Sequence, residues 1–232
     1  MMYQICVSIA VCRPHTMLQK IKLALEKSEL VEIRLDFLAP EQVPYMLNLA
    51  KKYLDRSICT LRPKSEGGRF SGSEKERISI LKLIAEYDPF MLDVEYNTLK
   101  KSKTLYSYLK KTKTRILVSW HDFEKTPSNT VLIKRFDMMA KFSKNIKIVT
   151  TAHTLDDSAR VLGLYQIKKK NKLVAFSMGG MGRLSRVMCL YLGSPFTYAS
   201  LGRPVAAGQF RIDELQKMQN MNQAKHTGRI AK

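Results

Sequence analysis

Lys147 stands inside Asn145-Ile146-Lys147-Ile148-Val149, an apolar run with an isoleucine on each side of the amine. A lysine in apolar surroundings holds its proton less tightly, because the charged form is poorly solvated. A neutral amine attacks ketones and forms a Schiff base with them. The alternative is a side chain that snorkels and carries its charge out to water. His121, in Ser119-Trp120-His121-Asp122-Phe123, is the residue type for proton transfer near neutral pH, although a lone histidine can serve structure equally well. In Glu32-Ile33-Arg34-Leu35-Asp36, strict alternation points Glu32, Arg34 and Asp36 to one side. Inward charges of this kind need pairing or a polar ligand. Arg62 precedes Pro63-Lys64-Ser65-Glu66-Gly67-Gly68-Arg69, whose glycines suit a mobile loop. Arg186 follows a glycine-rich stretch, Gly179-Gly180-Met181-Gly182, that suits a phosphate or a carboxylate, with a helix expected to start near Gly182. No three His, Cys, Asp or Glu residues show metal-ligand spacing, so no metal is expected. The set suggests covalent amine catalysis on a small, oxygen-rich, anionic ketone. It leaves aldol cleavage and dehydration both open.

These residues need a frame that gathers them. Eight short β-rich runs recur along the chain: Tyr3–Ile9, Leu30–Leu35, Ser57–Leu61, Phe90–Val94, Arg115–Ser119, Asn145–Thr150, Leu173–Ser177 and Thr197–Ala199. Near-continuous apolar segments such as Ile116-Leu117-Val118 suit buried parallel strands. Helical patterns separate them: Met17, Ile21 and Leu25, a helix opening at Pro40, a capping box at Ser73-Glu74-Lys75-Glu76, and a related cap at Thr154–Asp157. Repeated strand–helix alternation predicts an α/β protein, a (β/α)8 TIM barrel, with an open doubly wound sheet as the alternative. No linker divides the chain, so one domain is expected over residues 1–217. The polar tail, 218–232, lacks a helical stripe and is expected to fray. A barrel places its chemistry in the loops after the strands, where the residues above fall.

Composition narrows the class. With 45% apolar residues in 232, the chain has enough to bury a core, and disordered or collagen-like classes are excluded. No apolar run reaches the ~18 residues of a membrane helix. The first residues lack the cationic segment of a secretory signal. Cys6, Cys12, Cys59 and Cys189 are widely spaced, which argues for reduced thiols in a cytoplasm. Forty Lys and Arg against twenty Asp and Glu leave a net charge of +20. Such a charge suits a solvated surface, with Lys100-Lys101, Lys110-Lys111 and Lys168-Lys169-Lys170 spread along the chain. A catalytically silent barrel binding nucleic acid is the reading from another class.

The motifs together resemble the type I 3-dehydroquinate dehydratases of the shikimate pathway, which share an aldolase-like (β/α)8 barrel. The resemblance spans about residues 3–212. It rests on Glu32–Asp36, Arg62–Gly68, Ser119–Phe123, Lys147-Ile148, Gly182–Arg186 and Ala206–Gln209, in that order. It implies that Lys147 forms an imine with the C3 ketone of 3-dehydroquinate, and that His121 moves the C2 proton and returns one to the departing C1 hydroxyl. It also implies that Glu66 tunes His121 and that Arg186 clamps the carboxylate. Glu32, Arg34 and Arg62 would hold ring hydroxyls, Gln209 would close over the substrate, and Ser8 would contact it. Val205 stands where the family often has serine, and Ala207 where it often has proline. Phe176 replaces a common methionine. The resemblance implies a cytoplasmic homodimer that needs no cofactor and binds neither membrane nor nucleic acid. A lysine-dependent aldolase acting on a phosphorylated sugar is the runner-up enzyme.

Overall fold

The computed structural model describes residues 4–226. Eight parallel strands alternate with helices: β1 Gln4–Ile9, β2 Leu30–Arg34, β3 Ser57–Thr60, β4 Met91–Glu95, β5 Ile116–Asp122, β6 Asn145–Thr151, β7 Lys172–Met178 and β8 Phe196–Ser200. A ninth, two-residue strand, β9, is Phe210–Arg211. The helices are α1 Pro14–Leu25, α2 Val43–Ala50, α3 Glu74–Glu86, α4 Tyr96–Lys101, α5 Lys103–Leu109, α6 Asn129–Ala140, α7 Leu155–Ile167, α8 Ser185–Tyr191 and α9 Ile212–His226. Every strand run expected from the sequence is present, displaced by at most a few residues at its ends. Among the described residues, no helix is long and apolar enough to cross a membrane. The lysine runs lie at the end of α4, after α5 and after α7, at separate places on the outer ring.

The strands form one curled sheet in the order β7-β6-β5-β4-β3-β2-β1-β8-β9. The expected barrel is therefore present, with its hydrogen-bonded circuit open between β7 and β8. Side chains take the place of strand pairing on the β7 edge. The Tyr165 hydroxyl accepts from Ala175 N at 2.8 Å and donates to Ala175 O, and Ser185 Oγ accepts from Ser177 N at 2.8 Å. These bonds satisfy both backbone groups of Ala175 and the Ser177 N–H without β8, as buried backbone requires. On the other side, β9 pairs with Ala199 and Ser200 of β8. The Phe176 and Tyr198 rings meet edge to face across the opening, with centroids 6.2 Å apart.

Local signals account for the helix starts. Ser73 caps α3 by accepting from Glu76 N, and Thr154 and Asp157 form a full reciprocal capping box at α7. The helix expected at Pro40 opens as a 3-10 turn, and α2 proper begins at Val43, with Pro44 in its first turn. The tail differs from expectation. Residues 218–226 belong to α9, whose first turns bury Ile212 and Leu215, three residues apart. That spacing docks one face of an otherwise polar helix. Residues 227–232 lie outside the described part.

Candidate active site

Period-two alternation builds the site. Ile146 and Ile148 of β6 point into the packing between sheet and helices, while Lys147, Val149 and Thr151 line a cavity of about 420 Å³ at the C-terminal ends of the strands. Ser8 of β1, Glu32 and Arg34 of β2, His121 of β5, Phe176 of β7 and Tyr198 of β8 face the same space, as do Arg62, Glu66, Arg186, Val205 and Gln209. The structure thus brings every sequence-predicted site residue to one cavity. Asp36 is the exception to the alternation, because β2 ends at Arg34 and a 3-10 turn covers Leu35–Phe37. Asp36 instead holds Arg34 through two 2.8 Å bonds and accepts from Arg69 N, tying the loop after β3 to β2.

The surroundings of Lys147 are ionic, which corrects the apolar environment suggested by its isoleucine neighbours. The amine is buried, 3.1 Å from Asp93 Oδ2 and 3.6 Å from Glu32 Oε1, and it sits 4.3 Å from the centroid of the Tyr198 ring. The isoleucines belong to the other face of the strand, so sequence adjacency misreports what the amine meets. Glu32 is further fixed by Ser8 Oγ at 2.8 Å and Thr60 Oγ1 at 3.0 Å. Asp93 accepts from Ser119 Oγ and from Arg62 Nη2 at 2.7 Å. Burial opposes ionisation of both acids. Lys147 and Arg34 outweigh it at Glu32, and Arg62 and Lys147, with the hydrogen bond from Ser119, outweigh it at Asp93, so both carboxyls sit below their ordinary range. Arg62 lines the cavity and spends three of its five N–H donors on Asp93, Glu95 and Ser119, each at 2.7 Å.

His121 is poised as a neutral imidazole. Burial, reinforced by Arg62 and Lys147, holds its pKa well below 6.5 against the opposing pull of Asp93. Its Nδ1 lies 3.3 Å from Glu66 Oε2, and Asn97 Nδ2 donates to Glu66 Oε1 at 3.3 Å. Burial, with Glu95 and Asp93 nearby, pushes the Glu66 carboxyl from 4.5 up to about 7, against the pull of Arg62. Phe123 stacks on the imidazole, with centroids 5.8 Å apart and planes 19° apart. The loop carrying Glu66 is a tight turn rather than the open loop its glycines suggested. Pro63 bridges to Phe70, and Lys64–Glu66 is a 3-10 turn closed by Gly67 in the left-handed region at φ 72°. A Cβ on Gly68 would lie 2.0 Å from the Arg62 carbonyl oxygen. These glycines permit close packing that fixes Glu66 beside His121.

Arg186 supplies a cation without an anion. It is buried in the first turn of α8, with Nη2 donating to Ala207 O at 3.0 Å and the guanidinium 4.4 Å from the Phe176 ring centroid. Its Nε is buried without a partner. Burial pushes its pKa down to about 10. An uncompensated guanidinium facing a cavity suits an incoming carboxylate or phosphate. Across the mouth, Gln209 Oε1 accepts from Val205 N at 2.9 Å, and Nε2 donates to Ser8 Oγ at 3.4 Å. The amide pins the loop after β8 onto β1.

Sequence reading passed over several members of this site. Asp93 and Glu95 were visible as strand-end acids, and their alternation in β4 was the signal that both face inward. Tyr198 sits in a short apolar run with nothing to distinguish its ring. Arg77 stands among the charges that open α3, with nothing in the sequence to mark it as inward, and it is 1% exposed.

A family model described as Type I 3-dehydroquinase matches residues 5–226. A 3-dehydroquinate dehydratase of Dehalococcoides mccartyi is 37% identical over 211 residues, which is 88% of this chain and 92% of the relative. Among solved structures, the 3-dehydroquinate dehydratase of Geobacillus kaustophilus HTA426 superposes with a TM-score of 0.88 over 96% of this chain and 92% of its own, at 20% identity, a likeness of fold. That of Aquifex aeolicus VF5 superposes with a TM-score of 0.78 at 27% identity, over 94% of this chain and 98% of its own.

Proposed function

This chain belongs to the type I 3-dehydroquinase family, a family of hydro-lyases, and from that premise we propose that it converts 3-dehydroquinate to 3-dehydroshikimate through an imine on Lys147, the third step of the shikimate pathway. One observation carries the reading. A buried lysine amine, a neutral histidine and an unpaired buried arginine share a single cavity.

In this scheme Arg186 takes the substrate carboxylate, and the C3 ketone lies against Lys147. Asp93 and Glu32 hold the amine in place. Once the amine has given up its proton, it attacks the carbonyl carbon, and the resulting carbinolamine loses water to form the imine. His121, neutral and oriented by Glu66, removes the C2 proton. The protonated imine accepts the electron pair, which is stored as an enamine. Collapse of the enamine expels the C1 hydroxyl, and His121 returns its proton, so one water leaves. A second water hydrolyses the imine, restoring the amine and releasing the product.

Arg34, Glu32 and Ser8 line the side where ring hydroxyls would lie, while Arg62 acts mainly by neutralising Asp93 and Glu95. Gln209 closes the mouth over the substrate. Val205 presents methyl groups at the same rim, so that position offers packing and no side-chain hydrogen bond.

The test is borohydride reduction in the presence of 3-dehydroquinate, followed by intact mass and peptide mapping. A single adduct on the peptide containing Lys147 is expected. Turnover without an adduct, or an adduct elsewhere, would overturn the scheme.

A further inference from the structure

A chain of charges of alternating sign runs from the protein surface to the reactive amine. Glu74, in the first turn of α3 with its side chain 57% exposed, holds buried Arg77 with both oxygens at 2.8 and 2.9 Å. Arg77 Nη1 reaches Glu95 Oε2 at 2.7 Å. The other Glu95 oxygen takes Arg62 Nη1 at 2.7 Å, and Arg62 Nη2 takes Asp93 Oδ2 at 2.7 Å. That same Asp93 oxygen lies 3.1 Å from Lys147 Nζ. Each inner group is divided between two partners of opposite sign.

We propose that Arg77, which does not line the catalytic cavity, is a positioning residue that sets how readily Lys147 forms its imine, by sharing Glu95 with Arg62. This deepens the imine reading and rests on it. The reasoning is competition. Asp93 favours the ammonium form of Lys147 to the extent that Arg62 leaves its charge uncompensated. Arg62 in turn divides its fork between Asp93 and Glu95, and Arg77 supplies the rest of what Glu95 needs. Without Arg77, Glu95 draws Arg62 toward itself, Asp93 turns more fully to the lysine, and the ammonium form gains at the expense of the reactive amine. Glu74 is solvated and does not require Arg77, whereas Glu95, 1% exposed, would otherwise hold a buried charge with one partner fewer. Lys147 is faced by Cys6 from β1, Glu32 from β2, Arg62 after β3, Asp93 from β4, His121 from β5 and Tyr198 from β8. None of these residues is itself substituted when residue 77 is changed; Arg62 and Asp93 respond through Glu95.

Alternation of sign makes opposite ends of the chain act in opposite directions. The initial rate of borohydride-trapped adduct with 3-dehydroquinate, read by intact mass across pH, is compared for the unaltered chain, R77M, R77K and E74Q. R77M is expected to move the pH midpoint of trapping upward by about half to one unit. R77K, which keeps the charge without the fork, should fall between R77M and the unaltered chain. E74Q should move the midpoint slightly downward, a smaller effect because Glu74 is exposed and screened. An R77M variant that is slower at every pH with the same midpoint would assign Arg77 a purely structural role and overturn the proposal. A shift of E74Q in the same direction as R77M would overturn it too, and this surface variant decides the matter if R77M does not fold. Failure of the unaltered chain to be trapped would overturn the imine reading and this inference together, whereas normal trapping with unmoved midpoints sinks the inference alone.

Discussion

Lys147 sits between two carboxylates while Arg186 faces the same cavity without one. In the proposed scheme a keto-acid lays its carboxylate on the arginine and its carbonyl at the amine. Lys147→Ala should abolish turnover and borohydride trapping alike. His121→Ala should lower kcat by about 10²–10⁴-fold while leaving product-analogue affinity nearly unchanged, measured by steady-state kinetics and calorimetry. Arg186→Ala should weaken binding of a carboxylate product analogue by about 1.5–3 kcal/mol, the range for hydrogen bonds to charged groups. Unchanged affinity would remove the clamp. Glu66 titrates near 7 and His121 well below 6.5, so of these two groups Glu66 is the one that would give a limb in the kcat/KM profile through neutral pH. Glu66→Gln should erase that limb of the pH profile.

At the scale of elements, the turn after β3 and the edge of β7 hold the site in register. Gly68 packs against the Arg62 carbonyl so closely that any side chain must push the turn away. Gly68→Ala is expected to cost about 1–3 kcal/mol in denaturant unfolding. It should also shift the limb assigned to Glu66, because that carboxyl rides on the same turn. On β7, the Tyr165 hydroxyl serves both the N–H and the carbonyl of Ala175. Tyr165→Phe leaves two buried backbone groups unmatched, and a loss of about 1–3 kcal/mol should follow with little change in KM.

At the scale of the whole molecule, buried ionisable groups couple folding to pH. Asp93 and Glu32 have carboxyls depressed below their ordinary values. Their contribution is present above the unfolded pKa and is lost as pH falls through the folded one. Glu66 runs the other way: with a folded pKa of about 7 against 4.5, its contribution is full below 4.5 and is lost as pH rises through about 7. Acid unfolding should therefore be driven by the Asp93 cluster. Asp93→Asn should flatten the acid limb of a stability–pH curve measured by chemical denaturation, while lowering stability at neutral pH by stranding Arg62.

Strand number and order in the chain were legible in the sequence, because runs such as Ile116-Leu117-Val118 must bury on both faces and helical repeats separate them. So were the charged strand-end residues of the cavity, since a residue at a strand's C-terminal end has one place to go in a barrel, whereas Tyr198 was not. Less of the site's physics was legible. Lys147 reads as apolar from its neighbours, yet its partners come from β2 and β4, more than fifty residues away in the chain at Asp93. Arg62 reads as a cavity arginine, and nothing in the sequence around it shows that Asp93, Glu95 and Ser119 take three of its donors. Alternation tells which way a side chain points and carries no information about what stands opposite. Pairing across the lumen depends on register and strand stagger, which only the closed-up sheet decides.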